Sequence, residues 1–173
     1  MEIRQLLTNE IHYLKKEEVA KIIGPDPDRF KEIMDLAFSR DMPICWRATW
    51  IMDYLAEIHP WLAEAWIGKL WQEVPKNHPV GVTRSLIRLL SRYDIPEDEM
   101  GPATDLCLEW ITREAVPVAI KVFSMELLLK IATAYPELSN EFISIIEDHA
   151  ENNSAGYKAR SQYIIKNLQK LIA

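Results

Sequence analysis

Glycine and cysteine are scarce in this sequence, and long apolar runs are missing. The chain has 5 glycines and 2 cysteines among its 173 residues. Few glycines favour long helices over tight turns, because glycine destabilises the interior of a helix. The cysteines, Cys45 and Cys107, are too few for a disulfide framework, and we interpret both as buried thiols on apolar helix faces. No apolar run approaches the length of about 18 residues that a membrane span requires.

The signature motifs of common enzyme classes are absent too. The sequence contains no glycine-rich phosphate-binding loop, no zinc-protease motif, no paired-cysteine motif and no nucleophile elbow. The four histidines are scattered, and the consecutive residues Glu147, Asp148 and His149 point around a helix rather than towards one ion. We therefore expect no cofactor and no metal site. The first residues lack the apolar segment of a signal peptide, so we expect a cytoplasmic protein.

Prolines mark a pair of helices that recurs along the chain. Pro43, Pro79 and Pro117 are separated by 36 and 38 residues, and each begins a segment with helical periodicity. Proline is tolerated in the first turn of a helix and disrupts later turns, so these prolines mark equivalent helix starts. A period near 37 with two helices per unit predicts an α-solenoid.

The expected architecture is all-α: a right-handed α-α superhelix within a single repeat domain, residues 1–173. Residues 1–24 are predicted to form a helical lead-in, which Gly24 and Pro25 end. Four helix pairs follow, near residues 26–59, 60–94, 95–135 and 136–173. The predicted helices within these pairs cover residues 28–39, 41–58, 61–74, 79–93, 96 or 102 to 112, 117–134, 137–150 and 154–172.

Tryptophans are concentrated in the first helix pair and the start of the second. Five of the six lie between residues 42 and 71: Trp46, Trp50, Trp61, Trp66 and Trp71. Because one aromatic side chain of this size can bury about 150–250 Å², we expect this group to anchor the core. Trp46 or Trp50 could instead face a groove and serve as a stacking platform.

The segment between the two helices of a pair carries a second recurring feature. In DMPICWRATWIMDYL, Asp41 precedes Arg47 by six positions, and Asn152 precedes Lys158 by the same distance. This arrangement resembles the HEAT-repeat family, and the resemblance extends over roughly residues 26–173. It implies a scaffold in which Asp41, Arg47 and Asn152 belong to a structural ladder of hydrogen bonds between neighbouring repeats.

The sequence also resembles short bacterial chains of HEAT-like architecture that sometimes carry the label adenylosuccinate lyase. That enzyme family has a flexible serine-rich signature loop and builds a tetramer of long helices. The loop does not occur in this sequence, and 173 residues are too few for such a tetramer. We therefore reject this activity for the chain.

Charge is distributed unequally between the two sets of predicted helices. The first helices of the pairs sum to −12 and the second helices to +6, within a total of −6. In a solenoid the two sets line opposite faces, so the second-helix face should be basic. The basic residues predicted to bind a partner are Arg84, Arg88, Arg92, Lys121, Lys158, Lys166 and Lys170. The alternative interpretation is a solvated surface that keeps the protein soluble.

Asp53 is the candidate catalytic residue. It follows Trp50 by three positions in an otherwise apolar helix, and a carboxylate beside aromatic rings would have a raised pKa and could act as a base. DNA alkylation-repair glycosylases are built from HEAT-like repeats and use an Asp among tryptophans, so a resemblance to them implies this role for Asp53. The alternative is that Asp53 caps a helix or pairs with a neighbouring basic residue.

These observations predict a non-enzymatic scaffold that binds a peptide, a protein or another anionic partner along the second-helix face. The alternative is a nucleic-acid-binding or alkylated-base repair protein that uses the same face. The net charge of −6 disfavours nucleic acid, because duplex binding depends on Lys and Arg that neutralise phosphates. We expect no membrane partner.

Overall fold

Helices make up the regular structure of the chain in a computed structural model, which describes residues 2–10, 14–151 and 153–173. Within these ranges no strand occurs, which confirms the predicted all-α class. The helices are α1 (Ile3–Gln5), α2 (Lys16–Ile23), α3 (Pro27–Ala37), α4 (Ile44–Ile58), α5 (Trp61–Glu64), α6 (Ile67–Glu73), α7 (Val80–Leu90), α8 (Glu97–Thr112), α9 (Val118–Ala134), α10 (Ser139–Ala150) and α11 (Ala155–Leu171). No described helix has the length and apolar character that a membrane span requires.

The helices group into two compact units, Met1–Tyr93 (unit 1, α1 to α7) and Asp94–Ala173 (unit 2, α8 to α11). Helices that are neighbours in the chain pack as pairs, such as α3 with α4 and α8 with α9. The second helices of successive pairs also pack together, α4 with α7 in unit 1 and α9 with α11 in unit 2. The predicted repeat of helix pairs is therefore confirmed.

Side chains and prolines at the helix starts explain why the boundaries fall close to the predicted positions. Asp26 Oδ1 accepts hydrogen bonds from the backbone N–H groups of Asp28 and Arg29, at 2.9 and 3.0 Å, and so caps α3. Pro79 and Pro117 immediately precede α7 and α9. Proline fits here because the first N–H groups of a helix have no partner within that helix.

One detail of the predicted helices is wrong, and one that was left open is decided. The expected helix over residues 61–74 is two helices, α5 and α6, because the N–H of Trp66 bonds to the carbonyl of Ala63 at 2.8 Å, a tighter turn than the α-helical one. α8 begins directly after Pro96, the first of the two predicted starts, and continues through Pro102, so Pro102 does not mark a helix start. The missing N–H of Pro102 is tolerated because both Pro102 and Asp98, one turn before it, are exposed to water.

The core of unit 1 lies between α3 and α4 and is mostly aliphatic. Ala48, Ile51, Met52 and Leu55 of α4 are completely buried, and Phe30 of α3 is buried against them. Unit 2 has a corresponding core with two buried aromatic side chains. Its buried members include Phe142, Tyr157, Leu128, Ile146 and Leu168.

The prediction that five tryptophans anchor the core is wrong for Trp46 and Trp61. Trp71 is buried, with 3% of its surface exposed, and Trp50 and Trp66 are half-buried. Trp46 and Trp61 are 42% and 49% exposed. The Trp46 side chain lies against Gly81 of α7 at the edge of the contact between α4 and α7, so only part of it is covered.

Candidate interaction surface

Asp53, the candidate catalytic residue, is held by two arginines, one within α7 and one just after its C-terminal end. Its carboxylate lies on α4 and is 3% exposed. Arg92 Nη2 donates to Asp53 Oδ1 at 2.7 Å and to the Asp53 carbonyl at 2.9 Å. Arg88 Nη1 lies 3.3 Å from Asp53 Oδ2. Each carboxylate oxygen therefore faces one guanidinium group, and together these contacts join α4 to the C-terminal end of α7.

Glu57 extends this group of charges by one helical turn. Arg88 Nη2 donates to Glu57 Oε2 at 3.0 Å while its Nη1 faces Asp53. We call Asp53, Glu57, Arg88 and Arg92 the charge cluster; it contains two carboxylates and two guanidinium groups. Arg84, Arg88 and Arg92, which are spaced four residues apart, form the basic stripe of the predicted partner-binding face. Arg88 and Arg92 are neutralised within unit 1 by the carboxylates of the charge cluster.

Burial has the largest effect on the protonation of Asp53. Loss of hydration raises the pKa of its carboxyl group, and the guanidinium groups of Arg92 and Arg88 offset only part of that rise, so the net pKa is above its ordinary value. The raised pKa agrees with the expectation for a carboxylate in an apolar helix. However, the exposed fraction of 3% leaves almost no carboxylate surface for a substrate to contact.

Arg84, the third arginine of the stripe, lies in a different environment. It is exposed on α7, and among the described residues it has no hydrogen-bond or ion-pair partner. Val80 is one helical turn before it and is also exposed, so their side chains are neighbours on the same side of α7. Arg84 is therefore the member of the stripe that can bind an external anion.

Trp46 packs against the backbone of α7 at Gly81. A Cβ atom placed on Gly81 would lie 2.5 Å from Trp46 Cδ1 and 2.9 Å from Trp46 Nε1, closer than real contacts allow. Glycine at this position therefore permits the indole to lie directly on the helix. The ring is held on one side by α7 and still has 42% of the residue's surface exposed to solvent.

Two further apolar side chains are exposed near the starts of α4 and α7. Met42 is exposed just before α4, with its Sδ atom 3.0 Å from Cys45 Sγ, and Val80 is exposed next to Gly81. We call Met42, Trp46, Val80 and Arg84 the Trp46 patch. It combines three exposed apolar side chains with one arginine that has no partner among the described residues.

A comparison with models of protein families shows which family this chain belongs to. A family model described as a HEAT repeat domain matches residues 3–168, nearly the whole chain. The chain belongs to the HEAT-repeat family. Neither the curated proteins nor the solved structures that were compared gave a match. The HEAT assignment supports a helical repeat scaffold, a type of protein that often mediates protein interactions.

The side chains predicted to form the HEAT ladder bind the first residues of the chain. Arg47 Nη1 donates to the carbonyls of Leu7 and Thr8, at 2.9 and 3.2 Å. The carboxylate of Asp41 pairs with Arg4. Asn152 lies outside the described residues. The contacts of Asp41 and Arg47 thus attach the N-terminal segment to the start of α4, the second helix of the first predicted HEAT pair.

The predicted lysines occupy three environments in unit 2. Lys121 is buried within α9, so it presents almost no charge to solvent. Lys158 and Lys166 line a groove of about 460 Å³ between α10 and α11, opposite Glu147 and Glu151. Lys170 does not line this groove; its Nζ donates to Asn167 Oδ1 at 3.2 Å.

Sequence reasoning did not single out Gly81 or Glu57, although both shape the surface. An isolated glycine within a helical pattern can indicate a close approach of another side chain, and Gly81 was a signal of this kind. Glu57 follows Asp53 by one helical turn, but its pairing with Arg88 depends on the register between α4 and α7. Within the described ranges, no group of three His, Cys, Asp or Glu side chains is arranged to hold a metal ion.

Proposed function

We propose that this HEAT-repeat chain is a non-enzymatic scaffold that binds a protein partner through the Trp46 patch. The observation that carries the proposal is the exposed Trp46 indole held against Gly81. Trp and Arg are the residues most enriched among the energetic hot spots of protein interfaces. An aromatic ring that is already positioned loses little conformational freedom on binding, so more of its contact energy contributes to affinity.

Of the three arginines in the basic stripe, Arg84 contacts the partner, and Arg88 and Arg92 have a structural role instead. Both of those arginines contact Asp53, and a partner could recruit them only by breaking these ion pairs. Separating them would leave a buried carboxylate without compensation, which costs several kcal/mol. The charge cluster is therefore proposed to stabilise the α4 and α7 pair that carries the patch.

The surroundings of Asp53 support this structural role over base excision. A catalytic base must come within hydrogen-bond reach of its substrate, and here both carboxylate oxygens face arginines. In a glycosylase assay on methylated DNA, we expect the wild-type protein to show no excision. Excision that Asp53→Asn abolishes would instead favour the repair alternative.

Affinity capture from the native cell, with two matched variants, tests the scaffold proposal. Trp46→Ala removes the proposed contact, and Trp61→Ala removes an exposed tryptophan on α5, another helix of unit 1. We expect recovery of the partner to fall at least about tenfold with Trp46→Ala, the equivalent of 1.4 kcal/mol, and to persist with Trp61→Ala. Equal recovery with both variants and the wild type would contradict the proposal.

A further inference from the structure

We infer that the Trp46 patch binds a short acidic segment of a protein partner, with an apolar side chain against the Trp46 indole and a carboxylate against Arg84. This inference rests on the proposed scaffold function and specifies the chemistry of the partner. Two observations carry it: the exposed aromatic ring fixed on Gly81 and the guanidinium group that lacks a partner among the described residues.

The relation between α4 and α7 brings the two elements of the patch together. Trp46 contacts Gly81 near the start of both helices, and Asp53 contacts Arg92 near the end of both. The two helices therefore run in the same direction, side by side. Arg84 follows Gly81 by three positions, less than one turn, so it lies close to the indole along the shared surface.

Charge around the patch favours a carboxylate in the partner. The charge cluster farther along the same two helices contains equal numbers of acidic and basic groups, so it adds little net charge to the surface. Arg84 remains as a cation whose fork of N–H donors fits a carboxylate in a bidentate geometry. A partner with a basic residue at this position would meet a like charge, which disfavours binding.

A protein segment fits this surface better than a nucleic acid does. Nucleic-acid affinity depends on the number of phosphates neutralised by Lys and Arg, and the patch offers a single arginine within a chain of net charge −6. A segment with one apolar and one acidic residue needs only one indole and one guanidinium group. The patch provides both.

Direct binding to synthetic probes tests the inference. The probes are three fluorescein-labelled peptides that share their Leu and Phe positions and carry Glu, Gln or Lys at every remaining position. Fluorescence anisotropy with the wild-type protein should show the Glu peptide binding at least about tenfold more tightly than the Lys peptide. Equal affinities for the three peptides, or no binding of the Glu peptide, would overturn the inference.

Charge reversal at Arg84 gives the strongest arm of this experiment. Arg84 is exposed, so Arg84→Glu should fold normally, which circular dichroism checks. We expect the variant to prefer the Lys peptide over the Glu peptide, an inversion that general destabilisation cannot produce. A preference for the Glu peptide that is unchanged in Arg84→Glu would show that another cation binds it, and would overturn the assignment to Arg84.

Variants that remove or displace the Trp46 indole test its contribution to binding in the same assay. Trp46→Ala should lower the affinities for the Glu and Gln peptides alike, because both peptides lose the same apolar contact. Trp61→Ala should leave both affinities unchanged. Gly81→Ala should also lower the affinities for both peptides, because its methyl group displaces the Trp46 ring. Affinities insensitive to Trp46→Ala would remove the indole from the inference.

Two other occupants of the patch are separated by further measurements. Tighter binding of a labelled oligothymidine than of the Glu peptide would replace the inference with a nucleic-acid site. Sedimentation velocity that detects a dimer lost in Trp46→Ala would replace it with self-association.

The results also separate failure of this inference from failure of the proposed function. If partner capture depends on Trp46 but the protein does not prefer the Glu peptide, only the partner chemistry is wrong. If neither capture nor peptide binding depends on Trp46, the proposed function fails as well.

Discussion

Both units connect their second helices through an acidic residue and arginine, but they bury these pairs to different extents. In unit 1 the carboxylate of Asp53 is 3% exposed and faces Arg88 and Arg92. In unit 2 the carboxylate of Glu126 is 23% exposed and pairs with Arg160. The Arg160 guanidinium also lies over the ring of the exposed Tyr163, 4.9 Å from its centroid. The same type of connection therefore belongs to the interior in unit 1 and nearer to the surface in unit 2.

This difference determines what each pair contributes to stability. Water screens an exposed ion pair, so its loss typically costs roughly 0–1 kcal/mol. Removing one partner of a buried pair leaves an uncompensated charge, which typically costs about 3–5 kcal/mol. The charge cluster of unit 1 should consequently be far more sensitive to mutation than the Glu126 and Arg160 pair of unit 2.

The units also differ in the kind of aromatic side chain that they expose. Both bury aromatic rings, such as Phe30 in unit 1 and Phe142 in unit 2. Unit 1 exposes the tryptophans Trp46 and Trp61, whereas unit 2 exposes tyrosines, such as Tyr163. An exposed indole leaves more apolar surface in water than an exposed tyrosine does, which fits the binding role proposed for unit 1.

Truncation of one aromatic residue in each unit should produce the largest contrast. Phe142→Ala removes a fully buried ring and should lower the free energy of unfolding by about 3–5 kcal/mol, whereas Trp46→Ala should cost about 1 kcal/mol. Urea denaturation followed by circular dichroism measures both, with Trp71→Ala as a buried tryptophan control. Equal costs for Trp46→Ala and Trp71→Ala would show that Trp46 is a core residue despite its exposed surface.

Removal of one arginine from each charge pair should produce the next largest contrast. Arg92→Ala should cost about 3 kcal/mol at neutral pH, because Asp53 would keep only the longer contact with Arg88. Arg160→Ala should cost at most about 1 kcal/mol.

The effect of Arg92→Ala should shrink as the pH falls, since a protonated Asp53 no longer needs a cation. Urea denaturation at several pH values measures this change, with Arg160→Ala as the matched control. Similar costs for the two variants at neutral pH would remove the distinction between the units.

Local sequence patterns predicted the helices well because the signals are local. Proline before α7 and α9, and Asp26 before α3, act within one helical turn of the position they mark. The break between α5 and α6 lacks a signal of this kind. Neither proline nor glycine stands at Ala65 or Trp66, and the apolar pattern continues across them.

Predictions of the site failed where they depended on the register between helices. The spacing of Arg84, Arg88 and Arg92 predicts one side of a helix, but it contains no information about the acidic residues of α4 that face Arg88 and Arg92. The exposure of Trp46 likewise follows from the way α4 divides its surface between α3 and α7. Hydrophobicity alone would place a tryptophan inside, because a large aromatic ring stabilises a core through its area.

Protonation of Asp53 should give unit 1 a measurable pH dependence. Its pKa is raised in the folded protein, so the native state holds the proton more tightly than the unfolded state. Its contribution to stability is therefore greatest below the ordinary pKa of Asp, and it declines as the pH rises from that value through the raised one.

Asp53→Asn should remove this decline, and at neutral pH it should cost only about 1 kcal/mol, because Asn keeps an acceptor oxygen for Arg92. Urea denaturation between acidic and neutral pH measures the slope, and Glu126→Gln in unit 2 is the matched carboxylate-to-amide control. An Asp53→Asn protein with the wild-type slope would assign the pH dependence to another group.

A methyl group on Gly81 should have the smallest effect on stability and still move the indole. Replacing glycine by alanine within a helix stabilises it by about 0.5–1 kcal/mol, and displacement of Trp46 should offset part of this gain. Gly156→Ala in α11 of unit 2 is the control, because Gly156, like Gly81, is the second residue of its helix, and a Cβ atom there meets only Ser154 Oγ, at 4.0 Å. We expect the free energy of unfolding to rise by the full helix contribution in the control and by less in Gly81→Ala. Acrylamide should quench the fluorescence of Trp46 more strongly in Gly81→Ala than in the wild type. The fluorescence of Trp46 is isolated by subtracting the fluorescence of the wild type and of Gly81→Ala that each also carry Trp46→Phe. If Gly81→Ala is as stabilising as Gly156→Ala and the quenching is unchanged, the indole does not lie on α7, and unit 1 lacks a tryptophan ring fixed against a helix backbone.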